Sequence, residues 1–325
     1  MKRRHFDWGR LAVALALLIL IIFGVDYLRR CIVGLFVGQP DLNITNDPAS
    51  SVSQSDQTDS ANTTTDSSVE SQPDDPLGYD TEQYVTVSMT AADVGKGELI
   101  LVDAQHKDTS NAAASLRSFQ DLKNDCYRLR NFDLTVREEV ITALNAMFAD
   151  FAAGTGLKNV VIYMTTVNDS ASFYSTVLPE RTAGYSADFA LLGDDGSIST
   201  FTGGGNYSWI VNNAANYGFI QRYTTEWESR TGVTAQPWHY RYVGAPHAVL
   251  MQQNGFCMEE YIDYLRDFTV DGQHASVSVG SQYYEIYFVP AESGNTAVPV
   301  PKDGNYTISG NNVDGFIITM ELALT

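Results

Sequence analysis

An α+β domain with a mixed or antiparallel central sheet and helices on one side is the architecture this sequence predicts, and three features of the chain predict it. Apolar residues recur at helical spacing over Val140, Ile141, Leu144, Met147, Phe148 and Phe151. Two short apolar runs, NVVIYM at 159–164 and SADFALL at 186–192, suit adjacent central strands. From Gln273 onward the pattern changes to alternating strands punctuated by glycine and proline. At 325 residues and 44% hydrophobic composition, the chain can bury one good-sized core with appendages.

The first appendage occupies residues 1–38. Lys2, Arg3, Arg4 and Arg10 precede an uncharged apolar run from Leu11 to Val25, which predicts a single transmembrane helix with its N-terminus in the cytoplasm and the folded part outside the cell. A cleaved signal peptide is the competing reading, disfavoured because no small-x-small site follows Val25. Residues 39–82 form the next segment. There is no Lys or Arg from Asp41 to Glu82, and Ser, Thr, Asp and Gln dominate, so a disordered acidic stalk is expected. The formal net charge of −19 argues against nucleic acid as a partner. Three cysteines are too few for a disulfide scaffold, and Cys126 and Cys257 either pair or remain as two buried thiols.

The core is expected over 83–272. Tyr84–Ser88 alternates as a strand would, and Glu98–Val102 reads as a second, buried one. Thr135 with Glu138 has the pattern of a capping box opening the clearest helix, and Gly154 is its expected stop. Trp209–Tyr217 reads as a helix ending at Gly218. Gly244-Ala245-Pro246 starts another with proline in its first turn, placing His239 on a strand or loop just before it. A small C-terminal β subdomain is expected over 273–325, with strands at Ser276–Val279, Tyr283–Val289, Tyr306–Ile308 and Phe316–Leu322.

Two stretches concentrate the chemistry: Pro179-Glu180-Arg181-Thr182-Ala183-Gly184-Tyr185-Ser186-Ala187-Asp188, and Gln236-Pro237-Trp238-His239-Tyr240-Arg241-Tyr242-Val243-Gly244. A hydrolytic zinc site needs three ligands with lone pairs and one open position for water, and Asp188 and His239 supply two candidates. Both stretches resemble the signatures of the VanY-type D-alanyl-D-alanine carboxypeptidases, bacterial cell-wall enzymes, which run roughly S-E-H-x-x-G-x-x-x-D and E-P-W-H-x-R-Y-V-G. The resemblance extends to LVDxxH at 101–106, to WIVNNAANYGFIQRY at 209–223 and to Ser309-Gly310-Asn311-Asn312.

The resemblance implies a VanY-like fold, a zinc cofactor, and removal of the terminal D-alanine from peptidoglycan stem peptides. It implies metal ligands at Asp188 and His239, with Arg181 standing where the family has its third ligand, a histidine. Gln236 stands where the family has the glutamate that acts as general base. A guanidinium has five donors and no lone pair for a metal. Either Arg181 fills the vacant metal position beside Asp188, with a bond to His239 as well, or it swings into solvent and leaves Asp188 and His239 bonded to each other. The amide of Gln236 cannot accept a proton from attacking water. Thr165-Thr166-Val167-Asn168 also replaces an expected Ser-x-Tyr-Arg-Ser turn. Trp238, Tyr240 and Tyr242 alternate with His239 and Arg241, so one set faces the core and the other the cleft. Tyr217, Arg222, Tyr223, Trp238 and Arg241 are the candidates for a peptide groove. The expected function is a membrane-anchored pseudo-peptidase with a broken zinc-ligand set and no zinc bound, which binds a peptidoglycan stem peptide or a cell-wall protein. The alternative is a working zinc carboxypeptidase with an unorthodox ligand set.

Overall fold

The computed structural model describes residues 82–120, 122–166 and 178–322. The expected membrane helix, the stalk up to Thr81, and Val167 and Asn168 lie outside them. Among the described residues no helix is long and apolar enough to cross a membrane.

Strands are β1 (Tyr84–Met89), β2 (Leu116–Ser118), β3 (Arg128–Leu129), β4 (Thr135–Arg137), β5 (Val160–Met164), β6 (Ser186–Leu192), β7 (Ile198–Thr200), β8 (Phe219–Gln221), β9 (His239–Tyr242), β10 (Ala275–Val279), β11 (Gln282–Pro290), β12 (Thr296–Pro301), β13 (Asn305–Gly310) and β14 (Gly315–Leu322). Helices are α1 (Glu138–Thr155), α2 (Ser208–Asn213), α3 (Glu228–Thr231), α4 (Ala245–Asn254) and α5 (Met258–Leu265). The main sheet has the order β3-β5-β6-β9-β8, with β7 also on β6. Only β3–β5 is parallel, so the sheet is mixed.

The α1 stripe is buried as its spacing predicts, with Phe148 packed edge-on against Phe189 of β6 at 5.4 Å between ring centroids. The two ends of α1 differ from expectation. Thr135 belongs to β4 and its hydroxyl meets Thr166, so no capping box forms; the cap position is Arg137. Gly154 lies inside the helix, and Gly156, at φ 75°, ends it, because a left-handed stop needs a residue without a Cβ. The Trp209–Tyr217 run divides into α2 and a 3₁₀ turn over 214–217, closed by Gly218 at φ 86°. Pro246 sits in the first turn of α4, as expected. The helices expected on one side divide: α1 and α2 share the apolar cluster of the main sheet, whereas α4 packs on β8 and shares a second apolar cluster with α5, β10 and β11.

Leu99–Val102 is buried, but it is not a strand. Its backbone is held by side chains and a turn instead of a ladder. Leu99 N–H donates to Ser309 Oγ (3.0 Å), Leu101 N–H donates to the Asn311 carbonyl (2.9 Å), and Asn312 Nδ2 donates to the Leu101 carbonyl (2.8 Å). This gives the Ser309–Asn312 stretch its physical purpose. Gly310 is required there because a Cβ would overlap the Val94 carbonyl.

The C-terminal strands form a separate antiparallel sheet in the order β10-β11-β14-β13. Its four strands match the alternating runs. The sequence reading missed β12, which pairs with β1. Pro299 and Pro301 look like strand breakers, yet they are two residues apart, so both missing N–H groups fall on the same side of an edge strand. Cys126 and Cys257 are both free thiols.

Asn311 is fully buried, and its Oδ1 accepts from the N–H groups of Val313, Asp314 and Gly315. Asn311→Ala should lower stability by about 3 kcal/mol, since each unsatisfied buried donor costs roughly 1–3 kcal/mol and part of the turn can rehydrate. Urea unfolding followed by circular dichroism checks this; a shift below about 0.5 kcal/mol, the size of an ordinary surface substitution, would refute it.

Candidate functional site

The site is built on two neighbouring strands. β6 and β9 run antiparallel with Asp188 directly opposite His239, and β5 brings Met164 opposite Asp188 on the other side. A 3₁₀ turn at Pro179–Ala183 precedes β6 and carries Glu180 and Arg181. Gly184 closes that turn at φ 76°, where a Cβ would also strike Leu116. The glycine of the first signature is thus a steric requirement for delivering residues 180 and 181 to the sheet.

Asp188 divides its carboxylate between two partners. Oδ2 accepts from Arg181 Nη2 at 2.8 Å, and Oδ1 lies 2.6 Å from His239 Nδ1. The other imidazole nitrogen, Nε2, is in short contact with Glu180 Oε1. The second oxygen of Glu180 accepts from Arg222 Nε at 3.0 Å, and Arg222 makes a two-pronged pair with Glu259 of α5 at 2.6 and 3.0 Å. Tyr223 stacks on the His239 ring at 5.4 Å. Arg181, Asp188, His239, Glu180 and Arg222 are all at most 2% exposed. Each imidazole nitrogen meets a carboxylate oxygen, and the Asp188, Glu180 and Glu259 carboxylates each also have a guanidinium partner in Arg181 or Arg222, which is how buried charge is tolerated. Burial alone would raise the Glu180 carboxyl, but hydrogen bonding and charge from His239, with Arg222 and Arg241, hold it well below the usual carboxylate range.

Arg181 therefore turns inward and pairs with Asp188 rather than swinging into solvent, while the expected bond from Arg181 to His239 is replaced by the Glu180 contact. Glu180 was not among the sequence candidates. The signal was available, since it directly precedes Arg181 in the first signature stretch, but only the turn geometry aims it at His239.

Gln236 is buried beside this cluster, its N–H donating to the Tyr223 carbonyl and its own carbonyl accepting from His239 N–H. Arg222 and Tyr223 are interior residues. Arg241 is also fully buried; its Nη2 donates to the carbonyls of Glu98 (3.0 Å) and Ile100 (3.1 Å), and its guanidinium lies over the Tyr185 ring. These three are placed in the protein interior. Trp238 and Tyr217 are half-buried, with the Tyr217 hydroxyl donating to Asp150 at 2.6 Å. Buried polar atoms without a partner here include Arg181 Nε and Nη1, Gln236 Oε1, Thr165 Oγ1 and Arg241 Nη1.

Zinc does not fit this donor set. Arg181 offers no lone pair, and the two nitrogens of His239 engage carboxylates on opposite edges of the ring, so Glu180, Asp188 and His239 do not converge on one point. Among the described residues no group of three His, Cys, Asp or Glu side chains is placed to hold a metal ion.

Comparison with known proteins agrees with the signatures. The profile of the VanY D-alanyl-D-alanine carboxypeptidase family matches residues 183–245. A D-alanyl-D-alanine carboxypeptidase of Enterococcus faecium is 31% identical over 243 residues, 72% of this chain and 78% of that protein. The crystal structure of the vancomycin-resistance D,D-dipeptidase VanXYg, in complex with a D-Ala-D-Ala phosphinate analogue, superimposes with a TM-score of 0.63 at 27% identity, covering 74% of this chain and 99% of that one. A vancomycin-resistance D,D-pentapeptidase VanY variant solved with Zn(II) matches less of the fold, with a TM-score of 0.37 at 24% identity over 51% of this chain and 98% of that one.

The depressed Glu180 carboxyl has a pH signature. Its folded value lies below the unfolded one, so its stabilisation is complete above about pH 4.5 and drains as pH falls through the folded value. Wild-type stability measured by urea unfolding should decline on acidification below pH 4.5 more steeply than that of Glu180→Gln. Parallel acid limbs would show that Glu180 is not held as an ion.

Proposed function

The chain belongs to the D-alanyl-D-alanine carboxypeptidase family, and from that membership we propose that it is a membrane-anchored, extracellular pseudo-peptidase that binds peptidoglycan stem peptides without cleaving them. The observation that carries this reading is the Arg181–Asp188 pair at 2.8 Å. A guanidinium supplies, from the chain itself, the positive charge that a zinc ion would bring to Asp188, and it leaves no coordination position for water.

Loss of the base is a separate defect. An amide at position 236 forfeits general-base assistance, typically worth roughly 10²- to 10⁴-fold in rate. The two changes affect different needs, metal retention and proton transfer, so neither compensates for the other. Recognition survives both. The unpaired Arg181 donors suit a carboxylate, and the unpaired side-chain Oε1 of Gln236 suits an amide N–H. A peptide C-terminus presents both groups, and the VanXYg relative is solved with a D-Ala-D-Ala analogue. The basic, apolar N-terminus and the acidic segment after it support tethering at the outer face of a bacterial membrane.

Elemental analysis of the full-length protein, dialysed against trace zinc, should give a zinc content near zero, with no D-alanine released from a stem pentapeptide. Arg181→His combined with Gln236→Glu should bring zinc close to one equivalent and restore release. Calorimetry should show the pentapeptide bound by the wild type and lost in Arg181→Met. One equivalent of zinc in the wild type, removed by His239→Ala, would instead establish a working zinc carboxypeptidase.

A further inference from the structure

β9 runs into the start of α4, and that junction borders a half-open pocket that the C-terminal sheet also lines. Glu98, Tyr242 and the first turn of α4 form one part of the lining, and Tyr284 and Glu321 form another. Register sets Tyr284 of β11 and Asn305 of β13 directly opposite Glu321 of β14, so all three share one face of that sheet. Glu98, Tyr242 and Tyr284 are half-buried and Glu321 is exposed, so each presents accessible surface. No Lys or Arg is in the lining. Its histidine, His247, is neutral: burial holds it down to about 3, and Tyr261 and Thr319 engage its two ring nitrogens.

Among the described residues neither carboxylate has an ion-pair partner. Glu98 Oε1 lies against the start of α4, where a Cβ on Gly244 would come within 3.1 Å of it. Its carboxyl receives a hydrogen bond from its own backbone N–H alone. Arg241 and Arg137 are near enough to favour its ionised form, but their hydrogen bonds go to the carbonyls of Tyr242, Glu98, Ile100 and Ala183. Burial, with repulsion from Glu139 of α1, outweighs them and pushes Glu98 up to about 7. The nearby phenols of Tyr185 and Tyr242 are themselves raised by burial and stay neutral. Glu321 accepts one long bond, from Asn305 Nδ2 at 3.4 Å.

An ionised carboxylate only accepts hydrogen bonds, so the group that completes Glu98 is a cation carrying N–H donors. Tyrosine rings also attract a cation, and they and Pro246 offer apolar surface to an alkyl stem. The α4 N-terminus brings roughly half a positive charge, too little to cancel two carboxylates. We propose that this pocket binds a primary ammonium group on an alkyl stem, with the ammonium at Glu98 and the Glu321 carboxylate adding to the field that holds it. The pocket is separate from the Asp188 cluster and uses none of its side chains.

Saturation-transfer NMR titrations of pentylammonium and of 1-pentanol with the full-length protein test it at pH 8, where Glu98 is ionised. Pentylammonium should bind saturably and 1-pentanol should not. Glu98→Gln keeps the shape of the side chain and should weaken pentylammonium about tenfold, the worth of one hydrogen bond to a charged group. Since Glu98 titrates near 7 and an alkylamine stays protonated to about pH 10, wild-type affinity should rise from pH 6 to pH 8. That rise should vanish in Glu98→Gln. Nα-acetyl-lysinamide bound more tightly than pentylammonium would identify a peptide lysine as the source of the ammonium, and the reverse order a free amine; either result supports the proposal. No saturable binding to the wild type, equal affinity for the amine and the alcohol, or binding that Glu98→Gln leaves unchanged would each overturn it. Displacement of pentylammonium by an equal concentration of calcium would make the pocket a metal site and overturn it as well.

Discussion

The carboxylate of Asp188, shared between Arg181 and His239, is the constraint on which this region of the molecule depends. A buried ion is tolerated only with close partners of opposite charge and satisfied hydrogen bonds. Asp188 is 0% exposed, so a cation must stand beside it. In a hydrolytic zinc site the metal has that task; here a side chain does. Once Arg181 is drawn in, His239 is oriented by Asp188 on one side and is free to meet Glu180 on the other. Glu180 in turn draws in Arg222, and Arg222 draws in Glu259. Each charge answers the one before it, and the row ends at α5, where Glu259 reaches partial exposure.

The same row explains why residues expected on a groove wall lie inside. Arg222 directly follows the edge strand β8 and Arg241 lies within β9, and each has found interior acceptors. Arg222 uses carboxylates. Arg241 uses the carbonyls of Glu98 and Ile100. Those carbonyls are available only because Leu99–Val102 forms no ladder of its own, leaving its backbone to Ser309, Asn311, Asn312 and Arg241. The end of β13 therefore braces the 99–102 segment, that segment holds Arg241, and Arg241 is two residues from His239 on β9. Distant parts of the sequence are tied to the site through hydrogen bonds to backbone as well as through the apolar contacts of Leu99–Val102.

Periodic signals were legible and local hydrogen-bond competition was not. The α1 stripe, β5, β6, the Pro246 start of α4 and the four C-terminal strands follow from apolar spacing, because burial of one face demands that spacing wherever the element sits. Thr135 and Glu138 had the spacing of a capping box, but β2 captured the Thr135 backbone in a sheet pair. Leu99–Val102 had the composition of a strand, but no neighbouring strand edge was offered to it. The prolines of β12 read as punctuation, and only the position of that strand at an edge makes them acceptable.

The sequence by itself determined the family resemblance, the presence of arginine at 181 and glutamine at 236 within its two signature stretches, and the chemical fact that a guanidinium has no lone pair for a metal. Tertiary structure alone decided what these side chains contact. Whether Arg181 turned to solvent or to Asp188, and whether His239 faced Arg181 or Glu180, depends on a turn closed by Gly184 and on the register that sets Asp188 opposite His239. Sequence specifies which groups are present, but the strength of a buried charge pair depends on distance and on exclusion of water, and both exist only once the strands are paired.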